Sequence, residues 1–243
     1  MKLTPDIRVK ETWLSRKPRW HASLVTAWSI FFLLVASVMY WKDIFNAASW
    51  MPVWQEAVLV KHEYWRLWTA LLAHADVGHL LSNSITFFIM GYFLSGYFSF
   101  WFFPTSALLM GGVINYLVIL GMPPEVKLVG VSGVVYWMAG AWLVLYFLID
   151  KRRTITQRAL RSMGVALGVF FPASAFDPTI SYKAHLYGFL IGLLCGAIYY
   201  YFNRPKFNDA LVYEIRYEED IEQAVLDREA AELKRLESSE DYN

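Results

Sequence analysis

The chain has 243 residues, 57% of them hydrophobic and 18% aromatic, with 22 basic side chains against 21 acidic ones. Soluble domains are about 45–50% apolar, so the composition points to a membrane protein, and the balanced charge argues against a nucleic-acid partner. The single cysteine, Cys195, excludes an intrachain disulfide and any multi-cysteine metal site.

Charge collects at the two ends and in a few short breaks, with long apolar runs between them. That layout predicts an all-α membrane protein. Residues 1–21 are polar and basic, with Lys2, Arg8, Lys10, Arg16, Lys17 and Arg19. They do not read as a cleavable signal, because no short apolar region with a small-residue cleavage site follows. A first span is expected over 22–41, close to the roughly 20 apolar residues that a crossing needs. The connection 42–68 is rich in Trp and charge, which suits the headgroup level. Further spans are expected over 78–98, 105–120, 132–149, 159–171 and 184–202. The one over 159–171 is the shortest and carries Arg161 near its start. Pro123 and Pro124 break the chain between the third and fourth.

Six spans put both termini on one side. Lys and Arg concentrate in 1–21, in 151–161 and at Arg204 and Lys206, which makes that side cytoplasmic. The compact six-span layout suggests a bacterial inner membrane. Three parts follow: a basic N-terminal segment 1–21, a core 22–202 and an acidic cytoplasmic tail 203–243. Leu211, Ile215, Ile221, Val225, Leu226, Leu233 and Leu236 space the tail as a partly amphipathic soluble helix.

Polar residues inside spans are costly and therefore candidates for function. Gly130-Val131-Ser132-Gly133 opens the fourth span. Alone it reads first as helix packing, although small neighbours let a substrate approach a hydroxyl. Ala184-His185 opens the sixth span, followed by Gly188, Gly192 and Gly196. That Gly-x-x-x-Gly face lets another helix pack tightly beside the imidazole. If it meets the small residues of the fourth span, His185 can take the Ser132 proton as a general base. Both residues enter from the outer side, near Lys127 and Lys183. His79 and Asn83 share one face of the second span and enter from the same side, so their N–H donors could hold an oxyanion. His74 and His79 do not share a helical face, and no His-Glu-x-x-His signature is present. A zinc site is therefore not expected, and His74 reads as a structural hydrogen-bonder. Tyr136, one turn after Ser132, could stack on His185.

Taken together these residues resemble the rhomboid intramembrane proteases over residues 20–202. Glu63-Tyr64-Trp65-Arg66 looks like the family's Trp-Arg motif. His74, His79 and Asn83 match its His-x4-His-x3-Asn pattern, and the Ser132 and His185 segments match its two catalytic motifs. The resemblance implies a six-helix bundle and a Ser132–His185 dyad with no acidic third member. It implies an oxyanion hole from His79, Asn83 and the Ser132 backbone N–H. His74, Arg66, Tyr136, Gly130, Gly133, Gly188 and Gly192 would be supporting residues. No cofactor or metal is implied. The partners would be transmembrane protein substrates within the lipid bilayer, cut near the outer leaflet, and no oligomeric state is fixed. The fifth span and the loop 172–183 would gate and cap the site. Two competing readings are a catalytically silent rhomboid-like protein that binds membrane clients, and a transporter. The first typically lacks the Ser or the His, and the second calls for ionisable groups throughout the membrane depth.

Overall fold

Lipid offers backbone groups no hydrogen-bond partners, so an apolar chain crosses it as helices that satisfy themselves. The computed structural model describes residues 5–166, 181–217 and 226–231. In chain order, strand β1 (Asp6–Glu11) precedes α1 (Ala22–Trp41), and three short helices follow: α2 (Ala47–Trp50), α3 (Gln55–Leu59) and α4 (Arg66–Thr69). Next come α5 (Val77–Tyr97), α6 (Ala107–Ile119), α7 (Ser132–Ile149), α8 (Ile155–Val165), α9 (Tyr182–Asn208) and strand β2 (Val212–Arg216). Five of the described helices, α1, α5, α6 with the turn before it, α7 and α9, are long and apolar enough to cross a membrane.

The sequence boundaries hold closely for α1 and α7. α9 runs further than expected at both ends. Ser181 caps its start by accepting from the Ala184 N–H, and the polar residues after Phe202 keep its helical backbone. The expected fifth span starts within α8. Its residues 167–171 lie outside the described residues, as does most of the loop 172–183.

α7 is the central helix. Trp137, Met138, Ala139, Ala141 and Leu145 are fully buried, whereas α1 turns Trp28, Phe31 and Phe32 outward. The closest seam joins α7 to α9. A Cβ on Gly188 would lie 2.2 Å from the Gly133 carbonyl oxygen, and one on Gly192 would lie 2.1 Å from that of Trp137. Contacts 133–188 and 137–192 rise together in sequence, so the two helices are parallel. α8 starts back along α7, with Arg158 bonded to the Phe147 carbonyl and Met163 beside Leu143 and Val144. α5 is also parallel to α7: the His79 ring lies against Gly130, and Phe93 stacks on Trp142 with centroids 4.8 Å apart. The N-terminal ends of α5, α7 and α9 thus gather at one end of the bundle.

The opposite end carries β1 and β2, and here the structure corrects the expectation of a helix over 212–216, while 203–208 and 226–231 of the tail are helical. Val212–Arg216 is a strand that pairs antiparallel with β1, with Ile7 opposite Ile215 and Val9 opposite Tyr213. Two strands alone are marginal, and this pair is anchored through Trp13. Its indole N–H donates to the Tyr97 carbonyl at 2.9 Å, and Arg16 and Lys206 lie 4.4 and 4.3 Å from its ring centroid.

Candidate active site

The first wall of the site is built by the loop into α5. Asp76 caps that helix, its carboxylate accepting the His79 backbone N–H at 2.9 Å, the usual role of Asp at a helix start. Asn83 lies one turn beyond His79 and is buried, and its side-chain nitrogen has no hydrogen-bond partner among the described residues. His74 is fully buried, with its ring 5.2 Å from that of His79 in an edge-to-face arrangement. The Trp41 indole holds the His74 carbonyl at 2.7 Å.

Ser37 and His74 form a Ser–His hydrogen bond, and its chemistry is not that of a nucleophile. Ser37 Oγ donates to the Leu72 carbonyl at 3.3 Å and lies 3.0 Å from His74 Nδ1. The network is satisfied when His74 Nδ1 donates to Ser37, the reverse of base activation. Both residues are fully buried, so no peptide carbonyl reaches the hydroxyl. The pair fastens α1 to the loop. Ser37 carried no signal in the sequence, being one of several hydroxyls, with Ser23, Thr26 and Ser29, in an apolar helix.

Burial keeps His74 neutral and pushes its pKa down to about 4, with His79 adding to the effect and Asp76 partly opposing it. A folded-state value below the unfolded one, about 6.5, means the unfolded chain binds the proton more readily. The stability from His74 is therefore complete above about pH 6.5 and is lost as pH falls toward 4, on the order of 3 kcal/mol in total. The thermal midpoint of the wild type is expected to fall more steeply between pH 7 and 4.5 than that of His74→Asn. Equal slopes would show that another group controls acid stability.

The second wall is the entry to α7. Gly130 has φ +128°, which side-chain-bearing residues rarely adopt, and a Cβ there would stand 2.9 Å from His79 Cε1. Its N–H donates to the Ala70 carbonyl at 2.9 Å. This turn delivers Ser132 as the first residue of α7, where backbone N–H groups have no helical partner.

The third wall is the start of α9. Gly133 is so close to this helix that a Cβ on it would lie 3.8 Å from that of Ala184. The Tyr136 and His185 rings stack with centroids 4.0 Å apart and planes 10° from parallel. His185 is 8% exposed, and neither ring nitrogen has a hydrogen-bond partner among the described residues. No hydrogen bond therefore joins it to Ser132 here. The structure brings Ser132, Tyr136, His185, His79, Gly130, Gly133 and Gly188 to one end of the bundle, with Gly192 one turn deeper.

Arg66 and His74 stand outside this cluster. Arg66 is buried, pairs with Glu63 and donates to the Ser49 and Pro52 carbonyls at 2.9 and 3.1 Å. It also lies 4.4 Å from the Trp54 ring centroid. It ties the connection after α1 together. Among the described residues no three His, Cys, Asp or Glu side chains gather closely enough to hold a metal ion.

Residues 61–202 match the Rhomboid domain family, more than half of the chain. The protein belongs to the rhomboid family. A relative named "Putative rhomboid protease YdcA", from Bacillus subtilis (strain 168), is 26% identical over 175 residues, covering 69% of this chain and 82% of the relative. The rhomboid match runs from before Arg66 to residue 202 within α9, so every residue of the cluster lies inside it, while α1 and the two strands lie outside. With five apolar helices of spanning length, this rhomboid is an integral membrane protein.

Proposed function

We propose that this rhomboid is an intramembrane serine endopeptidase that cuts transmembrane segments of other membrane proteins, with Ser132 as nucleophile and His185 as general base. The observation that carries the reading is the Tyr136–His185 stack. It fixes an imidazole, with both nitrogens unpaired among the described residues, against Tyr136, which lies one helical turn after Ser132 on α7. Buried polar atoms normally find partners, and exceptions call for an explanation; proton transfer is the one offered here.

In this mechanism Ser132 Oγ attacks the scissile carbonyl as His185 takes its proton. The tetrahedral oxyanion is held by the Ser132 backbone N–H, His79 and the Asn83 amide. His185 then gives the proton to the leaving amine, and water, deprotonated by His185, hydrolyses the acyl-enzyme. Three helix N-termini converge on this point, and their partial positive charge favours the developing anion. No carboxylate is needed to orient the base, because stacking holds the ring.

His79→Ala and Asn83→Ala are each expected to lower kcat about 10²–10³-fold with little change in KM, the signature of a contact made in the transition state. An unchanged kcat in either variant removes that residue from the oxyanion hole.

For topology we infer six crossings in the core 22–202, with the basic segment 1–21 and the acidic tail 203–243 in the cytoplasm of a bacterial cell. Support comes from the parallel α7 and α9, which need a return between them, and from the β1–β2 pairing, which needs an even count. The catalytic end then faces outward, where the substrate is cut near the outer leaflet. A serine-directed fluorophosphonate tests the assignment directly. Wild type is expected to label and Ser132→Ala not to; labelling that survives the substitution assigns the nucleophile elsewhere.

A further inference from the structure

We propose that the cleft between α7, α8 and α9 binds one anionic phospholipid, with its phosphate on Arg158 and an acyl chain in the cleft. The cleft has a volume of about 270 Å³ and is lined by Leu143, Val144, Phe147, Met163, Phe189 and Leu193 with Ser162, close to the lower bound of about 300 Å³ for small-molecule sites. It lies in the half of the bundle away from Ser132. Met163 at its edge is 56% exposed, so the cleft opens sideways, toward lipid.

The basic segment at its mouth selects the headgroup. Lys151 donates to Asn208 at 2.8 Å. Asp150 accepts from Arg152 at 2.7 and 3.2 Å and faces Arg153 at 4.0 Å. That uses the nearby carboxylate. Arg158 has only neutral partners among the described residues: the Phe147 carbonyl, which accepts from its guanidinium, and the Phe147 ring, 5.3 Å away. Its Nε is buried and unpaired, as is the hydroxyl of Ser162 one turn further along α8.

A guanidinium at a membrane boundary with no counter-charge among the described residues is costly, and its fork matches a phosphate. Phe147 joins the two halves of the site, touching Arg158 and lining the cleft. A cation at the mouth of an apolar interhelical cleft is the arrangement that recognises an anionic headgroup together with its chain. Inorganic phosphate would engage only the first half, and a neutral lipid only the second.

Native mass spectrometry of the full-length protein in detergent tests this with palmitoyl-oleoyl phosphatidylglycerol and phosphatidylcholine. Dihexanoyl phosphatidylglycerol and inorganic phosphate serve as headgroup-only probes. Wild type is expected to retain one phosphatidylglycerol at least about tenfold more tightly than phosphatidylcholine, and neither headgroup-only probe to compete at equal concentration. Arg158→Gln should reduce phosphatidylglycerol to the phosphatidylcholine level, with Arg158→Lys retaining most of the preference. Ser162→Phe, which fills the cleft and leaves every charge in place, should remove retention of both diacyl lipids. Equal retention of the two lipids by wild type overturns the proposal without reference to any variant. So does undiminished phosphatidylglycerol binding by Ser162→Phe, or Ser162-sensitive retention of a single-span peptide in preference to lipid.

Discussion

Ser132→Ala is expected to reduce cleavage of a transmembrane substrate in liposomes by about 10⁶-fold, the loss on removing the nucleophile of a soluble serine protease, while the thermal midpoint stays within a few degrees. On the proposed mechanism the two readouts separate, because Ser132 is assigned chemistry and not packing. Next to it on α7, Gly133, Val134, Val135 and Trp137 are buried, and the substitution removes one oxygen from a residue that is itself only partly buried. His185→Ala should lose as much activity and also stability, because it deletes a stacked ring pair worth about 0.5–1.5 kcal/mol. If the two groups act as the proposed dyad, the double variant should be no slower than either single one. Ser37→Ala is the control. It should lose stability through the His74 contact and keep kcat/KM within a few-fold. If instead Ser37→Ala abolishes cleavage and Ser132→Ala does not, the buried pair is the catalytic one and the access argument fails.

Hydropathy made the spans legible because lipid imposes one rule along the whole length of a helix. The bounds of α1 and α7 follow directly from where charge and proline interrupt the apolar runs. The candidate residues were legible as motifs, and their positions at helix starts follow from Asp76, Gly130 and Ser181, each a residue suited to that backbone. Pairings between distant segments were not legible. β1 alternates apolar and charged residues over only a few positions, and its partner lies some 200 residues away, so no local window could join them. The apolar spacing in the tail suggested a helix because Leu211 and Ile215 fit a turn of four as readily as the approach to a strand and its interior. Ser37 and His74 meet only because α1 and the loop before α5 are packed side by side. The direction of α9 relative to α7 was likewise implied only by counting crossings, whereas the glycine contacts give it outright.

Gly188→Ala tests whether that seam sets the catalytic geometry. The added methyl would sit 2.2 Å from the Gly133 carbonyl oxygen, 3.1 Å from its carbon and 3.3 Å from the Trp137 nitrogen. All three are backbone atoms of α7, so no rotamer change relieves the clash and the helices must separate by about 1 Å, as overpacked seams do. Gly133 adjoins Ser132, and Gly188 is three residues from His185, so the parting moves the proposed nucleophile and base apart. A misplacement of about 1 Å costs on the order of 10² in rate. Gly188→Ala is therefore expected to lose about 100-fold in kcat/KM and about 1–3 kcal/mol of stability. Gly192→Ala, one turn deeper against the Trp137 carbonyl at 2.1 Å, should lose similar stability with a smaller rate effect, because the strain falls further from the reacting atoms. Gly164→Ala on α8 meets nothing within 4 Å and should gain up to about 1 kcal/mol from helix propensity alone. Differential scanning fluorimetry and cleavage rates on the three variants distinguish these outcomes. A Gly188→Ala enzyme that is destabilised yet fully active would mean that the α7–α9 spacing holds the bundle together without positioning Ser132 against His185.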